Sequence, residues 1–161
     1  MSTIHLMVGI QGSGKSTLSK KLAKELNIII SSTDEVRKQH VGIKEELVWP
    51  LAYEMCANEL KKGKDVIFDA TSITPKVRKR FVDEVEKHGV KCEIGVYYFD
   101  IERDVCVQRV IQRNKDRTQI NIPIDVVYSF SERLIVPTLD EGFAFIKIVR
   151  EGKVVEVITN E

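Results

Sequence analysis

Residues 9–17 read GIQGSGKST and hold the densest chemistry in the chain. Gly9, Gly14, Lys15 and Ser16 meet the spacing G-x-x-x-x-G-K-[ST]. Glycines at such positions let backbone N–H groups point inward around phosphates, at dihedrals that a side chain forbids. Gly12 and Ser13 complete the cradle. The expected roles are chemical. Lys15 bridges the β- and γ-phosphates of ATP, Ser16 places its hydroxyl on Mg²⁺, and Thr17 donates to the α-phosphate. A helix that starts at Lys15 adds its positive N-terminal end. The alternative is a glycine-rich turn that matches by accident. The apolar run 4–8 before the motif and the helical spacing of Leu18, Leu22 and Leu26 after it weigh against that. The motif does not say where a phosphoryl group goes, since GTPases, motor ATPases and metabolite kinases share it.

Transfer to an acceptor needs more. Asp34 follows an apolar run and can orient or deprotonate an acceptor hydroxyl. Arg37, three residues on, falls on the same helix face and can hold an anionic part of a substrate. The plainer reading is a helix-start carboxylate with an i,i+3 ion pair. Asp69 ends the run VIFD and is placed to support Mg²⁺, or else to cap Thr71 or Ser72. Arg109, Arg113 and Arg117 recur every four residues. On a helix they share a face, and as a lid over about 109–123 they could converge on ATP and exclude water. Otherwise they form a solvated basic face balanced by Asp104 and Asp116. Lys38, Lys76, Arg78, Lys79 and Arg80, with Arg37, could line a path for a phosphate backbone, or 76–80 form a solvated helix face. Trp49 or Tyr53 could stack a base or belong to the core.

These residues need a scaffold. Apolar runs predict strands at 4–8, 28–30, 65–69, 90–99, 143–149 and 154–158. Helical spacing predicts helices at 15–26, from 34, 45–62, 74–87, 101–114 and 123–134, with Ser32 or Thr33 capping the second. Pro50 should kink the third helix or start its second half. Residues 115–122 read as polar and flexible, and Glu151–Gly152–Lys153 as a hairpin turn. Strands alternating with helices predict an α/β three-layer sandwich, a central mostly parallel sheet with helices on both faces and a C-terminal β-hairpin. Such sheets bind ligands at the carboxyl ends of the strands, which gathers residues 9–16, Asp34 and Asp69 on one rim.

On these motifs the chain resembles the kinase domain of bacteriophage-type polynucleotide 5′-hydroxyl kinases, within the wider adenylate-kinase-like P-loop kinases. The resemblance covers residues 4–135. It rests on GSGKST, the D-x-x-R pair Asp34 and Arg37, the segment 71–75 before a basic helix, and Arg113-Asn114-Lys115-Asp116-Arg117 followed by Ile122-Pro123-Ile124-Asp125-Val126. It implies an adenylate-kinase-type parallel sheet and a lid that brings Arg113 and Arg117 to ATP. It also implies Asp34 as general base on a 5′-hydroxyl and Arg37 on the phosphate 3′ to the acceptor nucleoside. Thr71 and Arg78 fall on the substrate side. The implied partner is a 5′-OH end of DNA or RNA. The D-x-D-G-T motif of an attached 3′-phosphatase is absent from these residues, and the D-A-T around Asp69 is closer to the wider group of small-molecule kinases, seryl-tRNA kinases and zeta-type toxins. A small hydroxylated metabolite or a nucleoside is therefore the alternative acceptor.

Composition sets the outer limits. The chain has 161 residues, 43% apolar and 30% charged, with a formal charge of +1. That predicts one globular domain over 1–161 and gives no support for broad coating of nucleic acid. Cys56, Cys92 and Cys106 lack metal or disulfide spacing. The N-terminal MSTIHLMVGI has no basic region or cleavage site, and no apolar run reaches membrane-spanning length. The expected location is the cytoplasm, or the host cytoplasm for a viral gene, and oligomeric state is left open. A nucleotide-dependent binding module is a third reading, and the joint presence of Asp34 and Arg117 argues against it.

Overall fold

Ile4, Leu6 and Val8 alternate with His5 and Met7 along β1 (Thr3–Val8), and all five are buried. A strand covered on both faces belongs in the middle of a sheet. The computed structural model, which describes residues 1–160, puts it there. The other strands are β2 (Ile30–Ser32), β3 (Val66–Asp69), β4 (Glu93–Phe99), β5 (Phe145–Arg150) and β6 (Lys153–Ile158). Their order is β2-β3-β1-β4-β5-β6. The first five run parallel and β6 is antiparallel to β5.

The helices are α1 (Lys15–Leu26), α2 (Thr33–Gln39), α3 (Glu45–Lys61), α4 (Pro75–Glu86), α5 (Arg103–Asn114) and α6 (Ile124–Arg133), with a short 3-10 turn at Leu139–Glu141. One face of the sheet receives α3 and α4, through Val48, Ala52, Cys56, Phe81 and Val85. Phe81 stacks on Phe68 of β3 with centroids 4.0 Å apart. The other face receives Leu18 and Leu22 of α1 against Met7, Ile67, Tyr97 and Phe99. A third cluster joins α5 and α6 through Val107, Val110 and Val127 to Ile10 and Ile73, beside the phosphate motif. This is the expected three-layer α/β sandwich with its hairpin. No helix among the described residues is long and apolar enough to cross a membrane.

Several boundaries move for reasons of pairing. Ile28 is outside β2 because its N–H closes the end of α1 on the Ala23 carbonyl, after Asn27 turns left-handed at φ 53°. β4 starts at Glu93 and not at residue 90, because Thr3↔Glu93 is the first pair available against β1. Pro50 lies inside α3, one helix of 17 residues that it does not divide in two. Of the two candidate caps, Ser32 acts, its Oγ accepting the Glu35 N–H at 3.3 Å. The turn into β6 uses Glu151 and Gly152, both at positive φ.

Candidate active site

A cleft of about 1440 Å³ opens where β1, β2 and β3 end, roofed by α5, α6 and the segment between them. Its floor is the loop from β1 to α1. Gly12 and Gly14 adopt φ 80° and 99°, which side chains rarely tolerate. Gly12 also leaves no room: a Cβ there would meet the Cys106 carbonyl of α5 at 2.6 Å. The loop is pinned at its start by the Gly9 N–H, which donates to the Thr71 carbonyl at 3.2 Å.

Lys15 begins α1 and folds back so that Nζ donates to the Ile10 carbonyl at 3.0 Å. Burial pushes its ammonium below the usual lysine range, and the carboxylates of Asp69 and Asp34 pull the other way. Ser16 Oγ donates to Asp69 Oδ2 at 3.1 Å. Burial raises the Asp69 carboxyl above its usual range, opposed by Lys15 and the Ser16 hydroxyl. One hydroxyl and one carboxylate make the hard oxygen pair that could hold Mg²⁺ alongside phosphates and water. No group of three or more His, Cys, Asp or Glu among the described residues is placed to hold a metal by itself.

Asp34 and Arg37 come together as their spacing predicts, with Arg37 Nη1 donating to Asp34 Oδ1 at 3.0 Å. The sequence reading missed a third member. Glu45, in the first turn of α3, accepts from Arg37 Nε at 3.2 and 3.1 Å and also from Nη2. Those bonds hold the Glu45 carboxyl below its usual range. The guanidinium therefore sits between two carboxylates of its own chain. Gly42, at φ 86°, turns the chain between them.

The arginines divide. Arg109 Nη1 donates to the Gly12 carbonyl at 3.2 Å. Arg113 lines the cleft, and its Nε is buried without a partner. Arg117 does not share their helix face. α5 ends at Asn114, whose side chain exchanges two bonds with the Ile122 backbone, at 2.7 and 2.9 Å. Arg117 stands exposed in the turn this creates, beside Asp116, which accepts from Thr118.

Gln11, Gly12, Ser13, Thr17, Lys38, Trp49 and Thr71 all line the cleft. Tyr53 is buried in the core and cannot stack a ligand, whereas Trp49 packs on Phe68 at 5.8 Å and still reaches the cleft. Arg78 is a correction. It is 1% exposed and its guanidinium is spent on protein groups, so it cannot line a substrate path. Lys76, Lys79 and Arg80 are exposed on α4 outside the cleft, with Lys79 paired to Asp83.

Residues 4–137 match the family described as AAA domain. Among solved structures, the chain is similar to Kti12 of Chaetomium thermophilum in complex with ADP-AlF3, at 13% identity and TM-score 0.67, over 92% of this chain and 89% of that one. It is similar to a sugar kinase from Janibacter sp. HTCC2649, at 16% identity and TM-score 0.64, over 92% and 85% of the two chains. It is also similar to a chain of the Pnkp1/Rnl/Hen1 complex, at 20% identity and TM-score 0.58, over 76% of this chain and 40% of that chain. At such identities the likeness is one of fold.

Proposed function

Because the chain belongs to the AAA domain family and has a P-loop kinase fold, we propose that it transfers the γ-phosphoryl group of ATP to the 5′-hydroxyl end of DNA or RNA. The observation that carries phosphoryl transfer is the convergence of Lys15, Asp69 and Asp34 in one cleft beneath Arg113 and its unpartnered Nε.

The loop N–H groups bind the phosphate oxygens. Lys15 leaves the Ile10 carbonyl and bridges the β- and γ-phosphates. Ser16 and Asp69 are the residues that would hold Mg²⁺, which neutralises charge on the phosphates when bound. Asp34 accepts the proton of the acceptor hydroxyl as its oxygen bonds to the γ-phosphorus. The bond from that phosphorus to the bridging oxygen breaks, and ADP leaves. Arg113 stabilises the charge that gathers between the β- and γ-phosphates, and the α5–α6 roof excludes water. Arg117 joins it if the exposed turn swings inward. On the acceptor side, Arg37 and Lys38 supply positive charge and Trp49 an aromatic face.

A second reading has its own support. With Asp34 and Glu45 both on Arg37, the acceptor end is already neutralised, which suits an uncharged hydroxylated metabolite or nucleoside. The test is transfer of label from γ-³²P-ATP to a 5′-OH oligonucleotide, a nucleoside 3′-monophosphate, a free nucleoside and a set of sugars. Label on the first two alone supports the nucleic-acid acceptor. Label only on a nucleoside or sugar discards it and keeps the kinase. No label on any acceptor, with ATP bound, overturns transfer to a hydroxyl of these classes.

A further inference from the structure

Arg78 is a fully buried cation on α4, 63 residues before the carboxylate that neutralises it. Its Nε and Nη2 donate to the two oxygens of Glu141 at 2.8 and 3.0 Å. The rest of the fork reaches two backbone carbonyls, Nη1 to Ser72 at 2.9 Å and Nη2 to Ile135 at 3.1 Å. The Thr138 N–H also donates to Glu141 Oε2, at 3.1 Å.

The two carbonyls follow two segments that line the cleft. Ser72 follows Asp69, Ala70 and Thr71, all of which line it. Ser72 also holds φ 47°, a left-handed conformation that a non-glycine residue keeps only when its surroundings impose it. Its neighbour Thr71 accepts the Gly9 N–H, and Asp69 accepts the Ser16 hydroxyl. Ile135 lies just past the roof helix α6, whose Val126 and Phe130 line the cleft. The Ile135 N–H donates to the Ile73 carbonyl at 2.9 Å. One guanidinium thus ties the segment after Asp69, whose Thr71 anchors the phosphate loop, to the end of the roof helix. α6 packs on α5 through Val127, Val107 and Val110, and α5 carries Arg113.

We infer that Arg78 and Glu141 are positioning residues for phosphoryl transfer: their pair fixes the pivot of the α5–α6 roof to the β3–α4 segment and so sets where Arg113 and Asp69 stand relative to the phosphate loop. This rests on the phosphotransferase reading given above. Lysine cannot substitute, because a single ammonium does not reproduce a planar fork that meets one carboxylate and two carbonyls together.

The test compares wild type with Arg78→Lys and Glu141→Gln, two variants so that one remains informative if the other does not fold. Amide hydrogen exchange is followed at equal fractions folded, and ATP affinity is read from Trp49, the one tryptophan of the chain. Expected are exchange at least about 10-fold faster across residues 70–73 and 124–135, with β1 and β4 protected as in wild type. ATP affinity should fall about 10-fold, and ATP hydrolysed per phosphoryl transferred should rise. Exchange that is unchanged in those two segments, or that quickens evenly over the sheet, overturns the proposal. So does faster local exchange with ATP affinity and the hydrolysis ratio intact, which would make the pair structural alone. A wild type that binds no ATP sinks the phosphotransferase reading instead, and the exchange pattern then decides whether the pivot exists.

Discussion

Arg37 and Glu45 lie eight residues apart in the chain and face each other across the Gly42 turn, with Arg37 Nε at 3.2 and 3.1 Å from the two Glu45 oxygens. An anionic acceptor that uses Arg37 competes with that carboxylate for the guanidinium. Glu45→Gln should therefore lower KM for a 5′-OH oligonucleotide about 1.5- to 5-fold, the range of a partly exposed ion pair, with kcat nearly unchanged. KM for a neutral acceptor should stay put. A fall in kcat instead would mean that Glu45 keeps Arg37 and Asp34 in place.

Lys15→Ala should remove transfer from ATP, by about 10³-fold or more in kcat, because in the proposed mechanism its ammonium bridges the β- and γ-phosphates. Single-turnover kinetics with labelled ATP measure this. Near-normal turnover would end the assignment of the phosphate loop.

Asp34→Asn should lower kcat about 10²-fold or more and leave the ATP Kd within about a factor of two. Calorimetry beside steady-state kinetics separates the two effects. Lost ATP affinity with normal chemistry would move Asp34 to the nucleotide side of the cleft.

Asp69 gives a prediction about pH. Burial raises its carboxyl above the unfolded value. The folded state therefore holds this proton more tightly than the unfolded one, and its contribution to stability, full at low pH, is lost as pH rises through the raised value. Above that raised value the ligand-free protein carries an ionised carboxylate in a half-buried position. Asp69→Asn should then melt higher than wild type at pH 7, about 2–4 °C for each kcal/mol relieved in a chain of this size. The gain should shrink toward pH 4, while Mg²⁺-dependent transfer falls. Scanning calorimetry across pH tests the sign, and a variant less stable than wild type at pH 7 would refute it.

Gly12→Ala strains φ 80° and drives a methyl to 2.6 Å from the Cys106 carbonyl. The expected cost is about 2–4 kcal/mol of stability, since both the left-handed dihedral and the α5 contact are lost. Chemical denaturation and ATP binding should both register it, and a variant that matches wild type in each would show that α5 yields freely at this contact.

What the sequence disclosed follows the range of the interactions. α1 was legible to the residue, because an apolar stripe and the glycines before it define it locally. The Asp34–Arg37 pair was legible because i,i+3 is a helix rule. Glu45 and Glu141 were not, since turns and a crossover bring them to their arginines. Arg117 was misplaced by extending a four-residue repeat past Asn114, whose side chain ends α5 by binding Ile122. Arg78 had a readable signal. It shares the buried stripe of α4 with Phe81 and Val85, three and seven residues on, and so belonged to the inner face and not to the basic one.

The place of β3 between β1 and β2 has a consequence for synthesis on the ribosome. Lys15 and Asp34 emerge early, yet β2 finds its partner only when β3 slides in between, and the phosphate loop gains its Thr71 anchor with the same event. Gly12 waits longer still, for the Cys106 turn of α5. The nascent N-terminal third thus carries the reactive side chains without an assembled cleft, and parallel pairing across such long separations makes its closure slow and late.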